Sequence, residues 1–150
     1  MPTVVLIEPQ IPPNTGNIAR LCAATNTRLE VVGKLGFELT DSALKRAGLD
    51  YWEFVNWEHF PDLETYMNNL NPEKIHLLTT KSNVPYWNHA FKPDDFLLFG
   101  SELTGLSEKY RMQFAERCCT IPMKNPGVRS LNLATSVGIV LYEALRQSPH

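Results

Sequence analysis

Apolar positions along this chain follow two alternating patterns: short runs with no polar interruption, and longer stretches in which apolar residues recur every three or four positions. Thr3–Ile7 is the first run and predicts a strand. A proline-rich loop over residues 8–13 follows, and then Ile18, Leu21, Cys22 and Thr25 form the stripe of a helix that Asn14 or Thr15 could cap. Arg28–Val32 predicts the next strand. A short helix over 42–47, a third strand over 53–57 and an amphipathic helix over 62–70, with Leu63, Tyr66, Met67 and Leu70 inward, come after it. Residues 75–80, Phe96–Phe99 and residues 118–121 are further apolar runs. A last helix over 131–146 carries Leu133, Val137, Val140, Leu141 and Ala144 on one broad face. Runs that do not alternate belong to strands covered on both faces, which is the habit of parallel sheets with helices on each side. The fold class is therefore α/β. With 150 residues, no internal repeat and no linker-like stretch, residues 1–150 read as a single domain.

Composition removes several function classes. Hydrophobic residues at 43% and charged residues at 20% support one globular core and exclude a disordered or fibrous chain. No apolar run reaches the ~20 residues that span a bilayer, and the start has no basic region before its apolar stretch, so a cytoplasmic protein with no membrane partner is expected. Cys22, Cys118 and Cys119 are odd in number and two are adjacent, which suits reduced thiols. His59, His76, His89 and His150 show no zinc spacing, so no metal is expected. Net charge is −2 and neither half of the chain is basic, so a nucleic-acid partner would need a local patch or a dimer that merges two patches.

Three segments next to predicted strand ends could carry chemistry, since ligands of parallel sheets bind at the carboxyl ends of the strands. Asn14, Asn17 and Arg20 stand three apart on one helix face, where two amides and a guanidinium can grip a phosphate or a ribose; the same spacing also fits a helix cap with a solvated polar face. Phe96–Phe99 runs into Gly100, Ser101, Glu102, Leu103, Thr104 and Gly105, a loop whose glycines would let backbone approach a ligand. It is neither G-x-G-x-x-G nor a phosphate-binding loop, which argues against an ordinary dinucleotide site or an NTPase; a tight turn before a helix capped by Ser107 is the plainer alternative. Ile121, Met123, Ser130, Leu131 and Asn132 form the third segment, a proline-punctuated loop that opens the last helix. Its apolar members could sandwich a flat ring.

Taken in order, N-x-x-N-x-x-R after the first strand, Gly100-Ser101-Glu102-Leu103-Thr104-Gly105-Leu106 after a later one, and Ile121-Pro122-Met123 followed by Arg129-Ser130-Leu131-Asn132-Leu133 resemble the SPOUT methyltransferases. The stretches from Glu8 to Ile18 and from Arg46 to Tyr51 resemble the TrmL (YibK) subgroup, and the match covers essentially the whole chain. The chain departs from the subgroup's E-T-R-G-L-P in lacking the arginine and the proline.

The resemblance implies a parallel sheet with helices on both faces, a C-terminal trefoil knot, a homodimer, and S-adenosylmethionine as methyl donor. The implied reaction is methylation of the ribose 2′-oxygen of the wobble nucleotide, in the anticodon loop of leucine transfer RNAs. Carried onto this chain, the cofactor-binding residues are Leu78, Thr79, Gly100, Glu102, Ile121, Met123, Ser130, Leu131 and Asn132. Arg20, Asn14 and Asn17 are the catalytic, substrate-facing set, with Lys45, Arg46 and Tyr142 as further RNA contacts. A guanidinium stays charged, so Arg20 is read as steadying the developing alkoxide or a neighbouring phosphate and not as a base. Two other readings remain open: a cofactor- or RNA-binding module without catalysis, and a SPOUT methyltransferase acting on another RNA site. A hydrolase is disfavoured, since G-x-S-x-G is absent and no histidine accompanies Ser101 or Ser130.

Overall fold

A computed structural model of the chain describes residues 1–39, 42 and 52–148. The six strands β1 (Thr3–Ile7), β2 (Arg28–Val32), β3 (Trp57–Phe60), β4 (Ile75–Leu78), β5 (Phe96–Phe99) and β6 (Cys118–Cys119) pair in parallel in the order β3-β2-β1-β5-β4-β6. Alternate residues of these strands enter two separate cores. Val4, Leu6, Val31, Leu97 and Phe99 meet α1 (Pro12–Thr25) and α4 (Leu133–Gln147), while Val5, Ile7, Leu77 and Leu98 meet α2 (Leu63–Asn68) and α3 (Glu108–Gln113). The sheet is thus covered on both faces, as its uninterrupted apolar runs require. Leu133, Val137, Val140, Leu141 and Ala144 of α4 are all buried, and α4 packs on α1.

Two expectations need correction. The third strand occupies Trp57–Phe60, not 53–57. Trp52 to Val55 instead form a turn closed by Val55 N on Trp52 O, and the Trp52 ring packs on Trp57 with centroids 5.0 Å apart. The register comes from β2: Arg28 donates to Glu30, Asn56 and Glu58 and so pins Glu58 opposite Glu30. The first helix is not capped by Asn14 or Thr15. It begins at Pro12, so both residues lie inside it and both are buried. Of the helix expected over 42–47, only Ser42 lies within the described residues.

The connection from β4 to β5 runs past the end of β6. Thr79 N donates to Cys119 O on one side, while Thr120 N donates to Val84 O and Tyr86 N donates to Thr120 O on the other. Residues 119 and 120 are therefore held between two limbs of the 79–86 segment.

Farther along this connection, His89 and Asp95 meet His76, wholly buried on β4, which donates from Nε2 to Asp95 at 2.7 Å and shares a 2.8 Å bond from Nδ1 with Nδ1 of His89. Asp95 also accepts from Lys92 N, and Gln147 of α4 bonds Phe91 N and His89 O, so the pair anchors this segment to the sheet and to α4. Burial pushes both histidines down, His89 to about 4 with the help of neighbouring His76 and Arg117. Both are neutral in the fold and take up protons on unfolding, so their contribution is complete above the unfolded value of ~6.5 and is lost as pH falls toward 4. Urea midpoints should drop across that window, by on the order of 2 kcal/mol in stability, and His89→Phe should flatten the dependence. An unchanged slope in His89→Phe would remove the pair as its source.

Burial also pushes the thiols of Cys22 and Cys119 up to about 12, which leaves them unreactive.

Candidate active site

The ends of β4, β5 and β6 and the entry to α4 meet around one cleft of about 480 Å³. Leu78 and Thr79 reach it from β4, Gly100 and Glu102 from the loop after β5, Ile121 and Met123 from the stretch after β6, and Ser130, Leu131 and Asn132 from the entry to α4. All nine residues expected to hold a cofactor line it, and so does Asn14 from the first turn of α1. Strand order explains the meeting: β4 and β5 are neighbours and β6 lies beyond β4, so three loops far apart in sequence leave the sheet side by side.

The loop after β5 is a closed hairpin. Gly105 N donates to Ser101 O at 2.8 Å, and Leu103 N to Ser101 Oγ at 3.2 Å. A Cβ on Gly100 would lie 2.2 Å from the carbonyl carbon of Gly105 and 2.3 Å from Leu106 N. The backbone that approaches Gly100 is the loop's own, so this glycine is demanded by loop closure before any ligand arrives. Gly105 serves the turn through its φ of +65° and faces open space.

Glu102 points back from this loop to the start of α1, where it accepts from Gln10 N at 2.8 Å, Ile11 N at 2.9 Å and Asn14 Nδ2 at 3.3 Å. Pro12 and Pro13 have no N–H, Ile11 at the cap position offers no polar side chain, and the positive end of the helix favours the carboxylate. A residue 92 positions away thus does the work expected of Asn14 or Thr15. Asn14 Oδ1 accepts from Asn132 Nδ2 at 3.1 Å, and Asn132 caps α4 by accepting from Thr135 N at 3.1 Å.

Asn17 and Arg20 are exposed on α1 and are not part of the cleft wall, so of the three-apart set only Asn14 enters it. Tyr142 is exposed on α4. Lys45 and Arg46 lie outside the described residues. Two cations that sequence reasoning did not select, Lys81 and Arg111, also line the cleft. Lys81 could have been found from its place just after a strand end. Arg111 could not, because it reaches the cleft only through the packing of α3, where its Nε donates to Leu106 O at 3.2 Å. Among the described residues no group of three His, Cys, Asp or Glu side chains could hold a metal ion.

Residues 1–142 match the sequence model of the SpoU rRNA methylase family. This chain belongs to that family. It is 48% identical to the tRNA (cytidine(34)-2'-O)-methyltransferase of Methylovorus glucosotrophus, over 96% of this chain and 94% of that protein. It is 42% identical to the enzyme of the same name from Burkholderia pseudomallei, over 97% of this chain and 94% of that protein. A solved structure described as giving insights into the 2-OH methylation of C/U34 on tRNA superposes with a TM-score of 0.92 at 39% identity, over 99% of this chain and 96% of that one. The SpoU methyltransferase AviRb from Streptomyces viridochromogenes, solved in complex with AdoMet, superposes with a TM-score of 0.81 at 25% identity, over 99% of this chain and 57% of that one. The six-stranded parallel sheet flanked by helices is thus the SpoU fold, as the motif order led us to expect.

Proposed function

We propose that this SpoU family member transfers a methyl group from S-adenosylmethionine to the ribose 2′-oxygen of the wobble nucleotide of a transfer RNA. The observation that carries the reading is the convergence of three loops, separate in sequence, on one cleft whose wall includes every residue assigned to the cofactor. The cleft suits the cofactor: its volume of about 480 Å³ falls in the range of small-molecule sites, with apolar Leu78, Ile121, Met123 and Leu131 for a flat ring and the Thr79 and Ser130 hydroxyls for a ribose. Because Glu102 already accepts three hydrogen bonds, its role at the cofactor is as part of the wall.

When bound, S-adenosylmethionine supplies an electrophilic methyl on a sulfonium. The chain's part is to hold that group in line with the 2′-hydroxyl and to steady the charge that develops on the oxygen. Arg20 fits the second task, since a planar, permanently charged guanidinium can bind the alkoxide or an adjoining phosphate through two donors. Asn17 shares its exposed face, and Lys45, Arg46 and Tyr142 extend the RNA surface in this reading.

The same reading includes a C-terminal trefoil knot, supported by the grip on residues 119 and 120 from both limbs of the 79–86 segment. It includes a homodimer built on α1 and α4, which would bring two modest patches together, and a cytoplasmic setting, where transfer RNA is found. Leucine transfer RNAs as substrate rest on the resemblance of the 8–18 and 46–51 stretches alone. No described helix is long and apolar enough to cross a membrane.

Calorimetry with S-adenosylmethionine, followed by methylation of unmodified transfer RNA and mapping of the new ribose methyl, tests the proposal. Cofactor binding and a methyl at nucleotide 34, the site in the relatives' name, are the expected result. Binding without transfer would leave a non-catalytic module, and transfer elsewhere would move the activity to another RNA site.

A further inference from the structure

Glu102 stands in the wall of the cleft, yet its carboxylate is taken up by Gln10 N, Ile11 N and Asn14 Nδ2. Asn14 passes the contact on to Asn132, and Asn132 to the first turn of α4. One unbroken hydrogen-bonded path therefore joins the loop after β5, the first turn of α1 and the cap of α4, and all three of its side chains line the cleft. Neither end of the path is redundant. The α1 entry has two prolines and no local side-chain cap, and Asn132 is the residue that closes α4.

The geometry points to Glu102 and Asn14 as positioning residues that couple occupation of the cleft to the RNA-facing surface of α1. The inference rests on the reading that the cleft takes S-adenosylmethionine and that Arg20 faces RNA. A ligand seated between the 100–105 loop and the 130–132 loop presses on both ends of the path at once and so sets the angle at which α1 leaves it. Arg20 is six residues beyond Asn14, ~9 Å along a stiff helix, so a change in that angle moves its guanidinium. Coupling of this kind is reciprocal: RNA held by α1 fixes the same path and tightens the cleft on its ligand. The carboxylate is suited to this role because charge-assisted bonds to main-chain amides are directional and strong.

Calorimetry of the full chain with S-adenosylhomocysteine and with unmodified leucine transfer RNA, each alone and in the presence of the other, reads the coupling. In the wild-type protein each ligand should tighten the other ~5-fold or more. Glu102→Gln keeps the shape but turns an N–H donor toward main-chain N–H groups; it should bring the coupling factor close to one. Asn14→Asp, which sets a second carboxylate against Glu102, should do the same, and Glu102→Asp should restore part of the coupling. Circular dichroism and thermal midpoints confirm that each variant is folded, and either of the first two carries the test if the other is not. Loss of about tenfold or more in affinity for S-adenosylhomocysteine alone, with coupling intact, would make Glu102 a direct ligand and overturn the inference. Independent binding of the two ligands to the wild-type chain would overturn it as well. Failure of the wild-type chain to bind S-adenosylhomocysteine at all is a different result: it defeats the reading of the cleft and, with it, the coupling.

Discussion

Arg20→Ala should lower the single-turnover rate of methyl transfer at saturating RNA by ~10²-fold or more while S-adenosylmethionine affinity stays nearly unchanged. The split follows from geometry: Arg20 is exposed on α1 and outside the cleft wall, so it is not among the residues proposed to hold the cofactor, whereas charge on the ribose oxygen arises only as the methyl moves. Lysine should recover only part of the rate, because a point charge lacks the fork that holds two oxygens together. Saturating RNA removes any contribution from weaker binding. An Arg20→Ala enzyme running at the wild-type rate under those conditions would reduce Arg20 to a substrate anchor.

Gly100→Ala should destabilise the protein by ~3 kcal/mol or more, a larger loss than the ~1 kcal/mol expected of Gly105→Ala. The two glycines differ in what a methyl group meets. At Gly100 it collides with the backbone of Gly105 and Leu106, which cannot swing away as a side chain would; at Gly105 it enters open space and carries only the strain of a left-handed backbone. Urea unfolding of the two variants side by side makes the comparison, and equal midpoints would mean that the hairpin can open without penalty. Loss of cofactor binding in any Gly100 variant should accordingly be traced to the loop before it is traced to a blocked pocket.

Much of this architecture is legible in the sequence because parallel strands covered on both faces advertise themselves as uninterrupted apolar runs. β1, β2 and β5 fall where those runs predict them, and the inward face of α4 is the predicted one. The misplaced third strand shows the limit of the method. Residues 53–57 are as apolar as Trp57–Phe60, and the choice between them is made by Arg28 and the register of β2, a long-range pairing that composition does not encode. The start of α1 fails for a related reason, since its closing carboxylate comes from Glu102. Individual cleft residues were visible as polar or glycine positions after strands, but their convergence depends on strand order, and it was the order of the motifs that pointed to a fold with the right one. Lys81 and Arg111 enter the cleft through that same strand order and packing.

The hydrogen bonds around residues 118–120 bear on how the protein behaves in concentrated solution. A strand at the end of a sheet ordinarily presents unpaired N–H and C=O groups on which another chain can lay a strand of its own. Here Ser82 Oγ donates to Cys118 O, and Val84 and Tyr86 take both main-chain groups of Thr120. These three main-chain groups at the β6 end, which could otherwise template strand exchange or fibril growth, are occupied from within by a segment of the same molecule.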